Sequence, residues 1–204
     1  MFFVGSALLS LLLAVLVNRG SALAGVQRPC RLELLGAALA PRVLFALPPL
    51  APLLARPLPG LPVAWGSVLY VLSFLLAGLF IWYNRRTAGF GLLGLGLFLN
   101  ALVIILNGGH MPVDPGAMAA AGNLYVLEQE LAAGLWSTFT LRTPQTPLWF
   151  LGDVILLPMP FREPVIISIG DIAIALGLLR YFNPWLSLAG LWTCLPKAGI
   201  VRER

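Results

Sequence analysis

The sequence predicts an all-α membrane protein: a bundle of five transmembrane helices with a partly helical extracytoplasmic cap between the fourth and the fifth. Of the 204 residues, 59% are hydrophobic and 10% are charged, whereas a soluble domain carries about 25% charged residues. Apolar stretches of helical length alternate with short connections that contain arginine. One connection, residues 107–163, is much longer and more polar than the others. We treat residues 1–204 as a single membrane domain.

The first apolar stretch, residues 2–17, is followed by Asn18-Arg19. A signal peptide carries its positive charge before the apolar core, whereas here the charge comes after it. We therefore expect a retained first helix with its N-terminus outside. Removal of residues 1–24 is the alternative, because Ala22-Leu23-Ala24 resembles a small-residue cleavage site.

Three further spans precede the cap. Residues 32–54 contain Pro41 and Pro48, so this second helix is expected to kink or end early. Residues 63–83 form the third span, which at 1.5 Å per residue reaches about 31 Å, enough to cross a bilayer. Residues 90–106 form the fourth.

The cap, residues 107–163, contains its own helix and strand signals. Asp114-Pro115 is typical of an N-cap followed by the first helical residue. Leucines at positions 124, 127, 131 and 135 then form an apolar stripe at helical spacing. Residues 137–143 alternate between apolar and polar, as a short strand does.

The fifth span is predicted at residues 164–182. Residues 184–195 are apolar but too short to cross, and are expected at the membrane interface.

Charge and composition limit topology and function. Nine of the thirteen basic residues fall in one set of connections, which by the positive-inside rule is cytoplasmic. The N-terminus is then outside and the C-terminus inside. The basic residues are dispersed, so we expect no nucleic-acid partner. With two cysteines and one histidine, we expect no metal site and no cofactor.

The candidate site is built on two aspartates in the stretch 148–179. Asp153 and Asp171 each follow a glycine and stand eighteen residues apart. If the fifth helix begins at Pro164, Asp171 lies roughly 10 Å below the outer boundary. Asn100 lies at a matching depth on the fourth helix, and Ser168 shares a face with Asp171. These four residues are expected to converge near the outer leaflet.

Two carboxyl groups in one pocket do not ionise independently, because desolvation and repulsion raise the pKa of one. Asp153 and Asp171 are therefore the candidate catalytic residues, as an aspartyl dyad that activates water. Asn100, Asn107, His110 and Ser168 are the candidate substrate-binding residues. The alternative for Asp171 is a structural ion pair with Arg42 inside the membrane.

Three motifs carry a family resemblance: Asn107-Gly108-Gly109-His110-Met111-Pro112, residues 151–155 (LGDVI) and residues 168–171 (SIGD). In them the chain resembles an uncharacterised bacterial family of five-helix membrane proteins, a domain of unknown function. The resemblance implies a location in the bacterial inner membrane and no particular activity.

Residues 148–179 also resemble signal peptidase II, the aspartyl protease that trims bacterial lipoprotein precursors. Asp153 matches that family's first catalytic aspartate and Asp171 its second, while Ser168 stands where that family has asparagine. The resemblance implies hydrolysis of a lipid-anchored or membrane-embedded substrate. The alternatives are a non-catalytic membrane subunit or scaffold that binds a partner through the cap and, ranked last, a small transporter.

Overall fold

The computed structural model describes residues 28–45, 47–61, 63–158 and 164–183. Helix α1 covers Leu32–Phe45 and includes Pro41. A 3-10 turn at Pro48–Leu50 and the one-turn helix α2, Ala51–Leu54, follow it. The predicted second span is therefore broken near its prolines. The predicted first span, residues 2–17, and the predicted interfacial segment, residues 184–195, lie outside the described residues.

Helices α3 (Trp65–Tyr83) and α4 (Phe90–Leu106) are the long apolar elements of the described chain. They correspond to the third and fourth predicted spans. Within the described ranges, α3 alone is long and apolar enough by itself to cross a membrane, while α4 is apolar and shorter. Gly89 precedes α4 at φ +87°, a conformation that glycine adopts without strain.

The cap contains a parallel strand pair as well as helices. Strand β1 (Met111–Val113) pairs with β2 (Phe139–Leu141), and helices α5 (Pro115–Ala120) and α6 (Leu124–Ala132) form the crossover between them. Parallel strands need such a crossover of a dozen or more residues. The strand expected within residues 137–143 is confirmed. The all-α description is wrong in detail, because the cap brings sheet into a mainly helical protein.

The predicted fifth span begins later than expected. Strand β3 (Ile155–Leu157) pairs antiparallel with β4 (Val165–Ile167), and only then does helix α7 begin, covering Ile169–Phe182. The β-branched run from Val165 to Ile167 suits a strand better than a helix. Asp171 therefore lies in the first turn of α7, so the helical rise counted from Pro164, which gave a depth of roughly 10 Å, does not apply.

The helices and the cap share one apolar core. Helix α4 packs on α7 and α3, and α1 packs on α3. Tyr70 and Phe74 of α3 meet Val103 and Ile104 of α4 in this core, which Met111 of β1 extends into the cap. The cap therefore has a fixed position on the ends of α3 and α4, and it meets α7 at the buried acidic residues.

Candidate functional site

Helices α4 and α7 cross with their backbones in contact. A methyl group added to Gly96 would lie 2.3 Å from the carbonyl oxygen of Gly170, and one added to Gly177 would lie 2.9 Å from that of Gly89. Only glycine fits at such distances, as in other helix pairs that approach through small residues. This close crossing brings Asn100 of α4 against the first turn of α7.

Asp171 and Ser168 form a capping box at the start of α7. The Ser168 hydroxyl oxygen accepts a hydrogen bond from the Asp171 amide at 3.0 Å, and the Asp171 Oδ2 accepts one from the Ser168 amide at 3.1 Å. These bonds satisfy amide groups that a helix start leaves without partners, and the helix dipole also favours a negative charge there.

Asn100 links the capping box to α4. Its Nδ2 donates to the Asp171 Oδ1 at 3.0 Å, and its Oδ1 accepts from the Ser168 hydroxyl at 3.0 Å. All three side chains are buried, and Ser168 has no exposed surface. Both carboxylate oxygens of Asp171 therefore have hydrogen-bond donors. The structure brings Asn100, Ser168 and Asp171 together, whereas the Arg42 side chain lies outside the described residues.

Asp153 is held beside this group by its backbone. Its amide donates to the carbonyl oxygen of Pro112 at 2.9 Å, and its own carbonyl accepts from the amide of Asp114 at 3.0 Å. Gly152 makes this approach possible, because a methyl group there would lie 2.4 Å from the Pro112 oxygen. Asp153, which follows the 3-10 turn at Trp149–Leu151 and Gly152, is therefore fixed against β1.

The carboxyl group of Asp153 has an unpaired oxygen. Its Oδ1 is buried and accepts no hydrogen bond from the described part of the chain. Burial first, and then the negative charge of Asp171, raise the pKa of Asp153 well above its ordinary value. Loss of solvation and a nearby like charge both disfavour a second carboxylate. The arrangement therefore favours a proton on Asp153.

His110 and Asn107 have other neighbours. The His110 Nδ1 lies 2.7 Å from the carbonyl oxygen of Ser137, and its Nε2 lies 3.5 Å from the Ser67 hydroxyl of α3. The Asn107 Nδ2 donates to the carbonyl oxygens of Val103 and Pro147. His110 thus joins the cap to α3, and Asn107 is the residue that ends α4. Neither is hydrogen-bonded to the Asn100, Ser168 and Asp171 group.

A second polar contact fixes the cap itself. Asp114 accepts a hydrogen bond from the amide of Ala117, as its predicted N-cap role requires, and another from Arg142 Nε at 2.6 Å. The Ala117 bond and the Arg142 charge lower the pKa of Asp114, although burial opposes them. Arg142 also lies over the ring of Trp149, 4.9 Å from its centroid. The sequence pattern predicted the N-cap role of Asp114 but gave no signal for its pairing with Arg142.

The described residues include no group of three or more histidine, cysteine, aspartate or glutamate side chains placed to hold a metal ion. One signal in the sequence was available and missed: Ser168 followed three residues later by Asp171 is a capping-box pattern ahead of an apolar run.

These observations define a mainly helical protein with a helix long and apolar enough to cross a membrane and, where the helices meet the cap, a buried Asp171 beside an Asp153 whose Oδ1 is buried. Residues 42–183 match the family described as "Family of unknown function (DUF5317)", and the chain belongs to that family. The predicted membership of an uncharacterised family is confirmed.

One relative is an uncharacterized protein of Thermotoga maritima, which is 30% identical over 118 residues. The match covers 58% of this chain and 64% of the relative, so it spans less than two thirds of the relative's length. No solved structure matches the chain.

Proposed function

We propose that the protein is a five-span integral membrane protein with its N-terminus outside and its C-terminus in the cytoplasm. Hydrogen bonds join Cys30, just before α1, to Asn84, just after α3. The start of α4 likewise meets the end of α7 through Gly89 and Gly177. Basic residues of these connections, among them Arg31, Arg85 and Arg180, therefore lie at one end of the helices. This clustering supports a cytoplasmic face by the positive-inside rule.

We further propose that Asp153 and Asp171 form an aspartyl dyad that hydrolyses an amide bond in a lipid-anchored or membrane-embedded substrate. The observation that supports this most is the buried Asp153 Oδ1, which has no hydrogen-bond partner among the described residues. Burial and the nearby Asp171 raise the pKa of this carboxyl group. Two carboxyl groups of unlike protonation supply both an acid and a base. The resemblance of residues 148–179 to signal peptidase II points to the same chemistry.

In the proposed reaction, charged Asp171 takes a proton from a water molecule while the oxygen of that water attacks the amide carbon. Protonated Asp153 gives its proton to the amide oxygen, and a tetrahedral diol forms. The C–N bond then breaks as the Asp171 proton passes to the leaving nitrogen and one diol hydroxyl returns a proton to Asp153. Asn100 and Ser168 orient the Asp171 carboxylate throughout. Asn107 and His110 bind substrate where it passes the cap.

The test is cleavage of a synthetic diacylated lipopeptide by the full-length protein in lipid vesicles. Asp153→Asn and Asp171→Asn are each expected to reduce the rate by at least about 100-fold, the lower range for general acid–base catalysis. Asp114→Asn is the matched control, because this aspartate lies in the cap and pairs with Arg142. Cleavage retained in both dyad variants, or absent from the unaltered protein, contradicts the hydrolase.

A non-catalytic membrane subunit that binds a partner through the cap is the second candidate. Helix α6 supports it, because Tyr125 and Val126 are 68% and 54% exposed on the cap surface. The capping box also gives Asp171 a structural role without catalysis. A photo-crosslinking residue at Tyr125 is expected to capture a defined membrane partner, whereas one at exposed Thr143 is not. Equal labelling at both positions contradicts this candidate.

A further inference from the structure

An open apolar groove of about 380 Å³ runs between α3 and α4. Its lining includes the small residues Gly78, Gly94 and Ala101. Leu75 and Phe98, also in the lining, are 61% and 62% exposed. Small residues between two helices create the kind of surface on which a third helix can pack closely.

The groove runs toward the place where the described chain begins. The Cys30 amide donates to the Asn84 Oδ1 at 2.7 Å, and the Asn84 Nδ2 donates to the Cys30 carbonyl at 2.9 Å. The Arg31 guanidinium lies 5.5 Å from the centre of the Tyr83 ring. The chain before residue 28 is therefore tethered at the C-terminal end of α3. Ile81, which lines the groove, is within one turn of that end.

The chain before this tether matches the groove in length and composition. Residues 2–17 are apolar, and Ser6, Ser10 and Ala14 recur every fourth residue, on one face of a helix. Sixteen helical residues span about 24 Å, and the groove follows α3 from Val71 to Ile81, about 15 Å. The ten residues from 18 to 27 can extend about 33 Å, so the connection is long enough.

We infer that residues 2–17 of the same chain occupy the groove between α3 and α4 as a helix, with the face of Ser6, Ser10 and Ala14 against Gly78, Gly94 and Ala101. This inference rests on the proposed membrane location but not on the proposed hydrolase. The apolar segment 184–195 is a weaker occupant, because its twelve residues extend only about 18 Å as a helix. A lipid acyl chain is also a weaker occupant, because nothing connects it to the C-terminal end of α3. The first apolar segment is then part of the bundle and not a removable signal.

The position along the helices predicts which residues meet. Ser10 is seven residues from Val17 and Gly78 is six from Asn84, which places both about 10 Å from the tethered end. Ser6 is eleven residues from Val17, and Ala101 is eleven from Phe90, which places both about 16 Å from that end. The helix is therefore expected to lie parallel to α3.

The experiment is disulfide crosslinking in native membranes with the full chain carrying Cys30→Ala, Cys194→Ala and a protease site within residues 18–27. Cys30 contacts Asn84 through its backbone, so this change keeps the tether. Ser10→Cys with Gly78→Cys is expected to join the two protease fragments at least about tenfold more than Ser10→Cys with Leu79→Cys. Leu79 is a neighbour at the same depth that is exposed and does not line the groove.

A second pair, Ser6→Cys with Ala101→Cys, keeps the inference testable if the Gly78 variant does not fold. An added Cβ at Gly78 meets only Leu97, at 3.8 Å, so folding is expected. Four results overturn the inference: equal crosslinking at Leu79, crosslinks between two chains, crosslinking of Gly78→Cys to Ser187→Cys in a separate variant, or a mature protein whose mass lacks residues 1–24. Fragments joined at Gly78 and Ala101 within one chain support it.

Discussion

Replacing Gly170 by alanine tests whether the close crossing of α4 and α7 holds the acidic site together. The added methyl carbon would lie 1.9 Å from the Asn100 Oδ1 and 2.8 Å from the Gly96 carbonyl oxygen. Carbon and oxygen in close contact are normally about 3.3 Å apart or more, so Asn100 or α7 must move by over 1 Å. The hydrogen bonds at 3.0 Å from Asn100 to Asp171 and from Ser168 to Asn100 then exceed hydrogen-bond length.

The expected loss of stability follows from the steric overlap of the added methyl group and from the weakened hydrogen bonds of Asn100. Overpacking a tight interface costs about 1–3 kcal/mol. A hydrogen bond to a charged group contributes about 1.5–3 kcal/mol. Alanine favours the helix by up to about 1 kcal/mol over glycine and offsets part of this. We therefore expect Gly170→Ala to lower the free energy of unfolding by about 2–4 kcal/mol.

The assay is unfolding of the purified protein in mixed micelles, followed by far-UV circular dichroism. Gly91→Ala is the matched control: Gly91 is also the second residue of its helix, and an added methyl group there meets nothing within 4 Å. That variant is expected to be unchanged or stabilised by up to about 1 kcal/mol. A Gly170→Ala protein as stable as Gly91→Ala would refute the close contact.

Three further changes test the cap and the buried carboxyl group. Gly152→Ala is expected to destabilise by about 1–3 kcal/mol in the same unfolding assay, because the methyl group collides with the Pro112 oxygen. Asp153→Asn is expected to flatten the pH dependence of unfolding. The folded protein binds the Asp153 proton more tightly than the unfolded chain does, so stability falls as pH rises from about 4 through the raised pKa, and asparagine removes that fall. Asp114→Ala removes an N-cap and is expected to cost about 1 kcal/mol at neutral pH. That difference should shrink in acid, because the lowered pKa of Asp114 means that its contribution is lost as pH falls.

Defined outcomes contradict the expectations for Asp153→Asn and Gly152→Ala. Infrared spectra should show the C=O stretch of a protonated carboxylic acid near neutral pH that disappears in Asp153→Asn and persists in Asp114→Ala. If both variants keep this band, the proton belongs to a group other than Asp153. A pH profile unchanged by Asp153→Asn would mean that this group does not titrate differently in the folded protein. If Gly152→Ala is as stable as the unaltered protein, the close contact between Gly152 and β1 is contradicted.

Local patterns predicted some elements closely and others poorly. The apolar run at residues 90–106 became α4 with the same bounds, since no proline and no charged residue interrupts it. The run at residues 164–182 was also apolar, yet its first part pairs with β3 and its helix begins at Ile169. Hydrophobicity does not distinguish a short apolar strand from a helix, and β4 forms only by pairing with β3, a separate segment of the chain. The S-x-x-D pattern at Ser168 marked the true start.

The sequence by itself determined that this chain is apolar and mainly helical, that the cap begins a helix at Asp114-Pro115, and that Asn100, Ser168 and Asp171 could share a face. Those features follow from composition and from the fixed periodicity of a helix. Only the tertiary structure decided that Gly96 and Gly170 touch, that each Asp171 carboxylate oxygen accepts a hydrogen bond, and that the Asp153 Oδ1 is buried and unpaired. The physical reason is that solvation and hydrogen bonding of a side chain depend on segments distant in sequence, whose approach is set by packing and not by local pattern.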